Sequence, residues 1–331
     1  MIVSRAPVRF SLGGGGTDLP AYADRFGGFV VSAAIDKYIY VTANRRFHRS
    51  IRLSYSKTEI VDAVEKIEHP LFREALKMVR IDHSIELTSV ADLPANSGLG
   101  SSSSFTVALL NALHTYRRDF VSSRSLAEQA VELEMVRLGE PVGKQDQYIA
   151  AFGNVTAFTF EKDGTVGVEP VPVSDEILDE LQNNLVIVWS GIERPAKVVL
   201  SEQGARLREL EPDAIERMHK IKDLGREVYR LLVAGDLDTF GELLHDHWTA
   251  KRKLASKMTD DAIDEHYEAA RRAGAIGGKL MGAGGGGFFM FYVRPSERRR
   301  FVETMTKRGL RTLRFHFDTD GARIVANMHR S

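Results

Sequence analysis

Runs of β-branched and aromatic residues open the chain and predict strands at residues 8–12 (VRFSL), 28–35 (GFVVSAAI) and 37–47 (KYIYVTANRRF), with others at 50–56 and 84–90. Between the last pair, HPLFREALKMVRI (69–81) takes up helical spacing behind a proline. A second helix, SSFTVALLNALHTY (103–116), leaves a serine-rich turn. A third is expected over 122–140, where Ser125 and Glu128 read as a capping box and Gly139 and Pro141 as the stop. The short element GKQDQYIAAFG ends at Gly153, and strands follow at 154–160 and 167–173. The character changes between Val173 and Glu180. Beyond lie a strand (184–190), charged helices from about Arg194 to Ala273, a glycine cluster, the strand-like GFFMFYV (287–293), another helix and terminal strands. The pattern predicts an α+β protein with domains at 1–175 and 176–331.

The 331 residues suffice for well-buried cores in both halves. Lys plus Arg balance Asp plus Glu, 45 against 45, so the chain lacks the basic footprint of non-specific nucleic-acid binding. It has no cysteine, which removes disulfides, thiolate nucleophiles and thiolate metal sites and fits a reducing cytoplasm. The first residues hold no apolar stretch of the signal-peptide kind, and no run approaches the roughly 18 apolar residues that span a bilayer. The expectation is a cytoplasmic protein that works on small molecules rather than nucleic acid or membrane. A homodimer is compatible with all of this.

Glycine clusters at Gly13–Asp18 (GGGGTD), Ser97–Ser104 (SGLGSSSS) and Gly282–Phe289 (GAGGGGFF) are where chemistry is expected. Glycine lets backbone N–H groups approach an anion, and a helix N-terminus adds partial positive charge. The middle cluster runs straight into an apolar-periodic helix, the arrangement that phosphate binding needs. A Gly-x-x-x-x-Gly-Lys-Ser/Thr string is absent, which excludes a P-loop. Gly282, Gly284 and Gly287 match a Gly-x-Gly-x-x-Gly spacing, but a strand follows instead of a helix, so the dinucleotide reading fails.

Taken in order, APVRFSLGGGGTD, LPANSGLGSSSS and GKLMGAGGGGFF resemble the three motifs of the GHMP kinases, named for galactokinase, homoserine, mevalonate and phosphomevalonate kinases. The resemblance spans nearly the whole chain. It implies a two-domain α+β fold, with an N-terminal domain like that of a ribosomal protein, a ferredoxin-like C-terminal domain and the active site between them. It implies that ATP is held by Pro94, Asn96, Ser97, Gly98, Leu99, Gly100, Ser101, Ser102 and Ser103, with Gly284 and Gly285 backing the phosphates. Ser102 and Glu134 match the Mg²⁺ ligands, although the spacing of Glu134 differs from the family's by one residue. Asp146 stands at the catalytic aspartate, and Arg9 at the position where relatives carry Lys or Arg, able to pair with Asp146 or to stabilise the phosphoryl group. The sugar would meet Gly15, Gly16, Thr17, Asp18, Lys144, Asp146 and Gly286.

Galactokinase-like relatives carry Gly-Glu-His-Thr-Asp-Tyr where this chain has GGGGTDLPAY, and the glycines make room for a larger or phosphorylated sugar. IRLSYSKTEIV, HPLFREAL and GKQDQYIAAFG look like the heptose-phosphate members of the family. That likeness implies transfer from ATP to the anomeric hydroxyl of D-glycero-D-manno-heptose 7-phosphate. Fucose or an octose phosphate as acceptor is the alternative, as is a catalytically silent sensor, against which Asp146, Ser102 and Glu134 speak. A phosphorylated substrate calls for basic groups, Lys144 first, with Arg137, Arg194 and Lys197 behind it. His245 and His247, in HDHW, read as helix-surface residues.

Overall fold

The computed structural model describes residues 1–94, 97–193, 196–254 and 258–328, so Asn96 and Arg194 lie outside the described residues. In chain order the strands are β1 (Ile2–Gly13), β2 (Gly28–Arg45), β3 (Ile51–Ser54), β4 (Thr58–Val61), β5 (Ile85–Ala91), β6 (Val155–Phe160), β7 (Val166–Pro170), β8 (Leu185–Trp189), β9 (Ala275–Leu280), β10 (Phe288–Val293), β11 (Arg311–Leu313) and β12 (Arg323–Asn327). One sheet runs β12-β1-β2-β5-β3-β4, with β6 on β2 and β7 on β6; the other runs β11-β8-β10-β9. All pairs are antiparallel except β3 with β5.

Strands expected at 28–35 and 37–47 are one continuous β2. Its first half pairs with β6 and its second with β5, so the chain crosses the sheet without a turn. In β1, Ile2 and Ala6 face the helical core, whereas Val8, Phe10 and Leu12 face the second half of the molecule. A regular strand keeps even-numbered residues on one face; here the register shifts between Pro7 and Val8, which exchanges the faces. Arg9 and Ser11 are thereby turned toward the helices.

Helices Pro70–Val79, Ser101–Arg117, Ser123–Val131 and Gln145–Phe152 cover that face of the first sheet. Its opposite face packs on β8, β10 and helices Pro212–Ala234 and Leu237–Lys251 through an apolar layer that includes Phe10, Val31, Ile187, Val228, Phe240 and Met290. A large apolar interface of this kind joins the halves firmly. The last strand, β12, leaves the second half and pairs with β1.

Some expectations shift. Ser122, rather than Ser125, caps the third helix, its Oγ accepting from Ser125 N at 3.1 Å, because the N-cap oxygen must reach an amide three residues on. The sequence reading missed β4, the helix Pro20–Phe26 and β9. The glycines of β9 (AIGGKL) look like loop, yet a Cβ on Gly277 would stand 2.0 Å from Gly241 O, so glycine is what lets the strand press on helix Leu237–Lys251.

Candidate active site

β1 and helix Gln145–Phe152 bring Arg9 and Asp146 to one point. Arg9 Nε and Nη2 donate to Asp146 Oδ1 and Oδ2 at 2.7 and 2.9 Å, and Nη1 donates to Gly98 O at 2.6 Å. Gln145 Nε2 adds a bond to Asp146 Oδ1 at 3.0 Å. The two-pronged fork is the strongest form of such a pair. Arg9 is buried while the Asp146 side chain keeps 25% of its surface, so the carboxylate edge remains open to a neighbouring cavity of about 350 Å³.

The serine turn forms another wall. Gly100, left-handed at φ 79°, precedes helix Ser101–Arg117 without any side-chain cap, which leaves first-turn amides for an anion. Ser104 Oγ ties the turn to Pro7 O at 2.8 Å. The third glycine cluster closes on it: Gly282 has φ 68°, and a Cβ there would be 2.6 Å from Gly98 O. Only glycine permits that approach.

Glu134 lies in a π turn, Glu132–Arg137, spliced onto the third helix. Such a π turn is a short irregularity inserted in an α-helix. It carries the carboxylate inward, 3% exposed, where Ser103 Oγ, Thr106 Oγ1 and Gln147 Nε2 donate at 2.8, 2.5 and 2.6 Å. Burial pushes its pKa up to about 7 against the pull of those donors. Glu134 is therefore no solvated helix-face carboxylate. Ser103, not Ser102, bonds to it; Ser102 is exposed at the cavity wall.

Asp18 completes the opposite side. Its Oδ1 accepts from Gly16 N at 3.1 Å and its Oδ2 from Gln145 N at 3.0 Å. Burial raises its pKa and the charge of Asp146 adds to the rise, while the Gln145 N–H works the other way. Ser11 Oγ and Gln145 Oε1 line the cavity, buried and with no hydrogen-bond partner among the described residues. Such orphaned atoms call for a polar ligand.

Arg9, Gly15, Gly16, Asp18, Ser97, Gly98, Gly100, Ser101, Ser102, Ser103, Glu134 and Asp146 all line this cavity. Other expected residues do not. Thr17 is fully buried, its hydroxyl bonded to Gly14 O at 2.8 Å and to Phe29 N at 3.0 Å, so it fixes the loop. Leu99 is a core residue and Pro94 is exposed. From the last cluster, Gly282 and Ala283 reach the cavity, whereas Gly285 N is bonded to Met258 O and a Cβ on Gly284 or Gly286 would strike Met258 or Ile192.

Lys144 is corrected: its ammonium donates to Gly164 O at 2.6 Å, on the turn between β6 and β7, away from the cavity. Arg137 pairs with Glu132 outside the cavity, and Lys197 reaches the rim paired with Glu140. The HDHW residues are corrected as well. His247 is 1% exposed and accepts from Gly14 N at 3.2 Å, and Trp248 is fully buried, because this face of the helix meets the first glycine loop and the second core.

Ser11, Gln145, Gln203 and Lys251 also line the cavity and were missed. Ser11 could have been found as the next residue on the face of Arg9; nothing in the sequence marks Lys251. Among the described residues, no group of three or more His, Cys, Asp or Glu side chains could hold a metal alone, and no helix is long and apolar enough to cross a membrane.

An oriented carboxylate, an uncapped serine-bearing helix start and a facing glycine loop are parts that phosphoryl transfer needs. The models for the GHMP kinases N terminal domain and the GHMP kinases C terminal domain match residues 60–154 and 228–310, and the chain belongs to the GHMP kinases, with their two-domain α+β fold. It is a sugar kinase of that family. It is 28% identical to the D-glycero-alpha-D-manno-heptose 7-phosphate kinase of Campylobacter jejuni, over 97% of this chain and 98% of that protein. It is 24% identical to the bifunctional fucokinase/GDP-fucose pyrophosphorylase of Arabidopsis thaliana, over 89% of this chain but 30% of that longer protein. The solved structure of a D-glycero-D-manno-heptose 1-phosphate kinase from Bacteroides thetaiotaomicron superposes with TM-score 0.83, 28% identity and coverage of 99% and 100%.

Proposed function

We propose that this kinase transfers the γ-phosphoryl group of ATP to the anomeric hydroxyl of a phosphorylated heptose, D-glycero-D-manno-heptose 7-phosphate in the first instance. The observation that carries the reading is the Arg9–Asp146 fork, open to a cavity bounded by the uncapped serine turn on one side and Asp18 on the other. The C. jejuni heptose 7-phosphate kinase, matched over almost its full length, supports the acceptor class.

In this reading the first-turn amides of helix Ser101–Arg117 and the Gly282–Ala283 backbone hold the triphosphate. Asp18, Ser11 Oγ and Gln145 Oε1 receive sugar hydroxyls. Asp146 orients the attacking hydroxyl. With both oxygens engaged by Arg9 its carboxyl is fixed in orientation, suited to setting the nucleophile's direction and taking its proton late, as the phosphorus–oxygen bond to ADP breaks. Glu134 fits Mg²⁺, since that ion takes one or two protein ligands and completes its shell with phosphate and water. A buried carboxylate pushed up to about 7 gains from a divalent cation, and the Ser102 hydroxyl stands on the same cavity wall. When bound, the ion would neutralise charge on the phosphates.

Phosphorus NMR of the product made from heptose 7-phosphate, set against free heptose, tests the proposal. A new anomeric phosphate ester on the phosphorylated sugar is expected. Turnover confined to unphosphorylated sugars such as fucose would overturn the acceptor assignment.

A further inference from the structure

Three of the five N–H donors of Arg9 are engaged, two on Asp146 and one on Gly98 O, which fixes the guanidinium against the carboxylate. It cannot follow a phosphoryl group in flight without abandoning the carboxylate that orients the acceptor. Lys197, at the rim, is exposed and paired with Glu140. Among the described residues the other buried cation on the cavity is Lys251, the last residue of helix Leu237–Lys251 and only 7% exposed. Its Nζ donates to Gly282 O at 2.5 Å, and an ammonium has three donors, so further capacity remains. Gly282 is the residue pressed against Gly98, so the ammonium stands where the two glycine loops meet.

Resting on the kinase reading above, we propose that Lys251 is a catalytic cation of this enzyme, its ammonium contacting the phosphoryl group in flight between ATP and sugar. The groups in front of it are Arg9, which repels it, and Asp18 and Asp146, which attract it. Behind it lie Lys279, whose Nζ donates to Leu12 O at 3.1 Å, and His247, bonded to Gly14 N. Burial, with Arg9 beside it, lowers the Lys251 pKa to about 8 against the pull of Asp18 and Asp146, and burial next to Lys251 pushes those of Lys279 and His247 well below their ordinary values. Asp146 is taken up by Arg9, and the hydrogen bond of the Lys251 ammonium goes to a backbone carbonyl, so this buried cation gains when an anion arrives. The transferring group, at the junction of donor and acceptor, brings the charge that this corner lacks. An electrostatic donor aimed at developing charge acts on turnover more than on ground-state binding.

Lys251→Ala and Lys251→Arg are compared with wild type for kcat, for KM with phosphorylated and free sugar, and for ATP affinity by calorimetry, which also reports folding. Lys251→Ala should lower kcat by about 10²–10³-fold with ATP affinity and sugar KM within several-fold of wild type. Small primary amines should restore part of the loss. The wild-type kcat/KM should fall as pH rises through about 8, where the free enzyme loses the ammonium, and Lys251→Arg should lack that limb in whatever activity it keeps. A folded Lys251→Ala with undiminished kcat overturns the proposal. So does a defect confined to KM for the phosphorylated sugar, which would place Lys251 on the substrate's own phosphate. Wild type that transfers phosphate to no sugar overturns the kinase reading, and the role of Lys251 with it.

Discussion

Replacing Glu134 by Gln removes a charge that the fold holds at a cost. The carboxyl is 3% exposed, and burial raises its pKa from 4.5 to about 7. Below about pH 4.5 the group is neutral in folded and unfolded chains alike, and its full contribution to stability is present. As pH rises, the unfolded chain ionises first, so stability drains away until the folded carboxyl also ionises near pH 7. At about 1.4 kcal/mol per pH unit the loss comes to about 3 kcal/mol, most of which falls between pH 5 and 8. A glutamine stays neutral throughout. Ser103 and Thr106 can rotate their hydroxyls, and Gln147 can turn its amide, so a neutral partner is accommodated. In metal-free buffer with chelator, urea unfolding at pH 5, 6, 7 and 8 should show Glu134→Gln gaining on wild type by about 2–3 kcal/mol across the series. The same variant should lose most turnover, since the carboxylate proposed to hold Mg²⁺ is gone. A stability difference that stays constant from pH 5 to 8 would refute the assignment of a buried, raised carboxyl at this position.

Asp146→Asn should cost about 10²–10⁴-fold in kcat while calorimetric ATP affinity changes little; unchanged turnover would remove Asp146 from the mechanism. Gly143→Ala places a methyl 1.9 Å from Asp18 Oδ2. It should push Asp18 off Gln145 N and raise the sugar KM about tenfold or more with little change in ATP affinity, and equal KM values would contradict the role given to Asp18. Chelation of divalent ions should abolish transfer and added Mg²⁺ should restore it, read by a coupled ADP assay. Activity that persists in excess chelator would exclude the metal.

The motifs made the fold family and the Arg9–Asp146 pairing legible, because those residues sit inside short strings whose local geometry is nearly self-determined. A turn such as GLGSSSS fixes its own left-handed glycines and its helix start. Lys144 shows the limit of that logic. It lies two residues from Asp146, but a helix turns about 100° per residue, and the turn between β6 and β7 supplies a carbonyl that claims the ammonium. Proximity in sequence to a catalytic residue does not put a side chain in the cavity. The HDHW histidine fails for the opposite reason: its polarity reads as surface, whereas the orphan amide of Gly14, distant in sequence, requires an acceptor at that place.

Lys251 combines both difficulties. Nothing around it marks it as special, and its burial depends on Gly277 letting β9 press against its helix and on the last glycine cluster meeting Gly98. Each of these contacts joins residues far apart in the chain, and sequence periodicity carries no information about them. In the proposed transfer site the cations thus come from both halves of the molecule, Arg9 from β1 and Lys251 from helix Leu237–Lys251. They are held in register by the apolar layer that joins β1 and β2 to β8 and β10. A change in that layer, remote from any substrate, should therefore disturb turnover and nucleotide binding together, since Lys251 and the Gly282–Ala283 backbone both belong to the second half while the serine turn is anchored to β1 through Ser104 and Pro7.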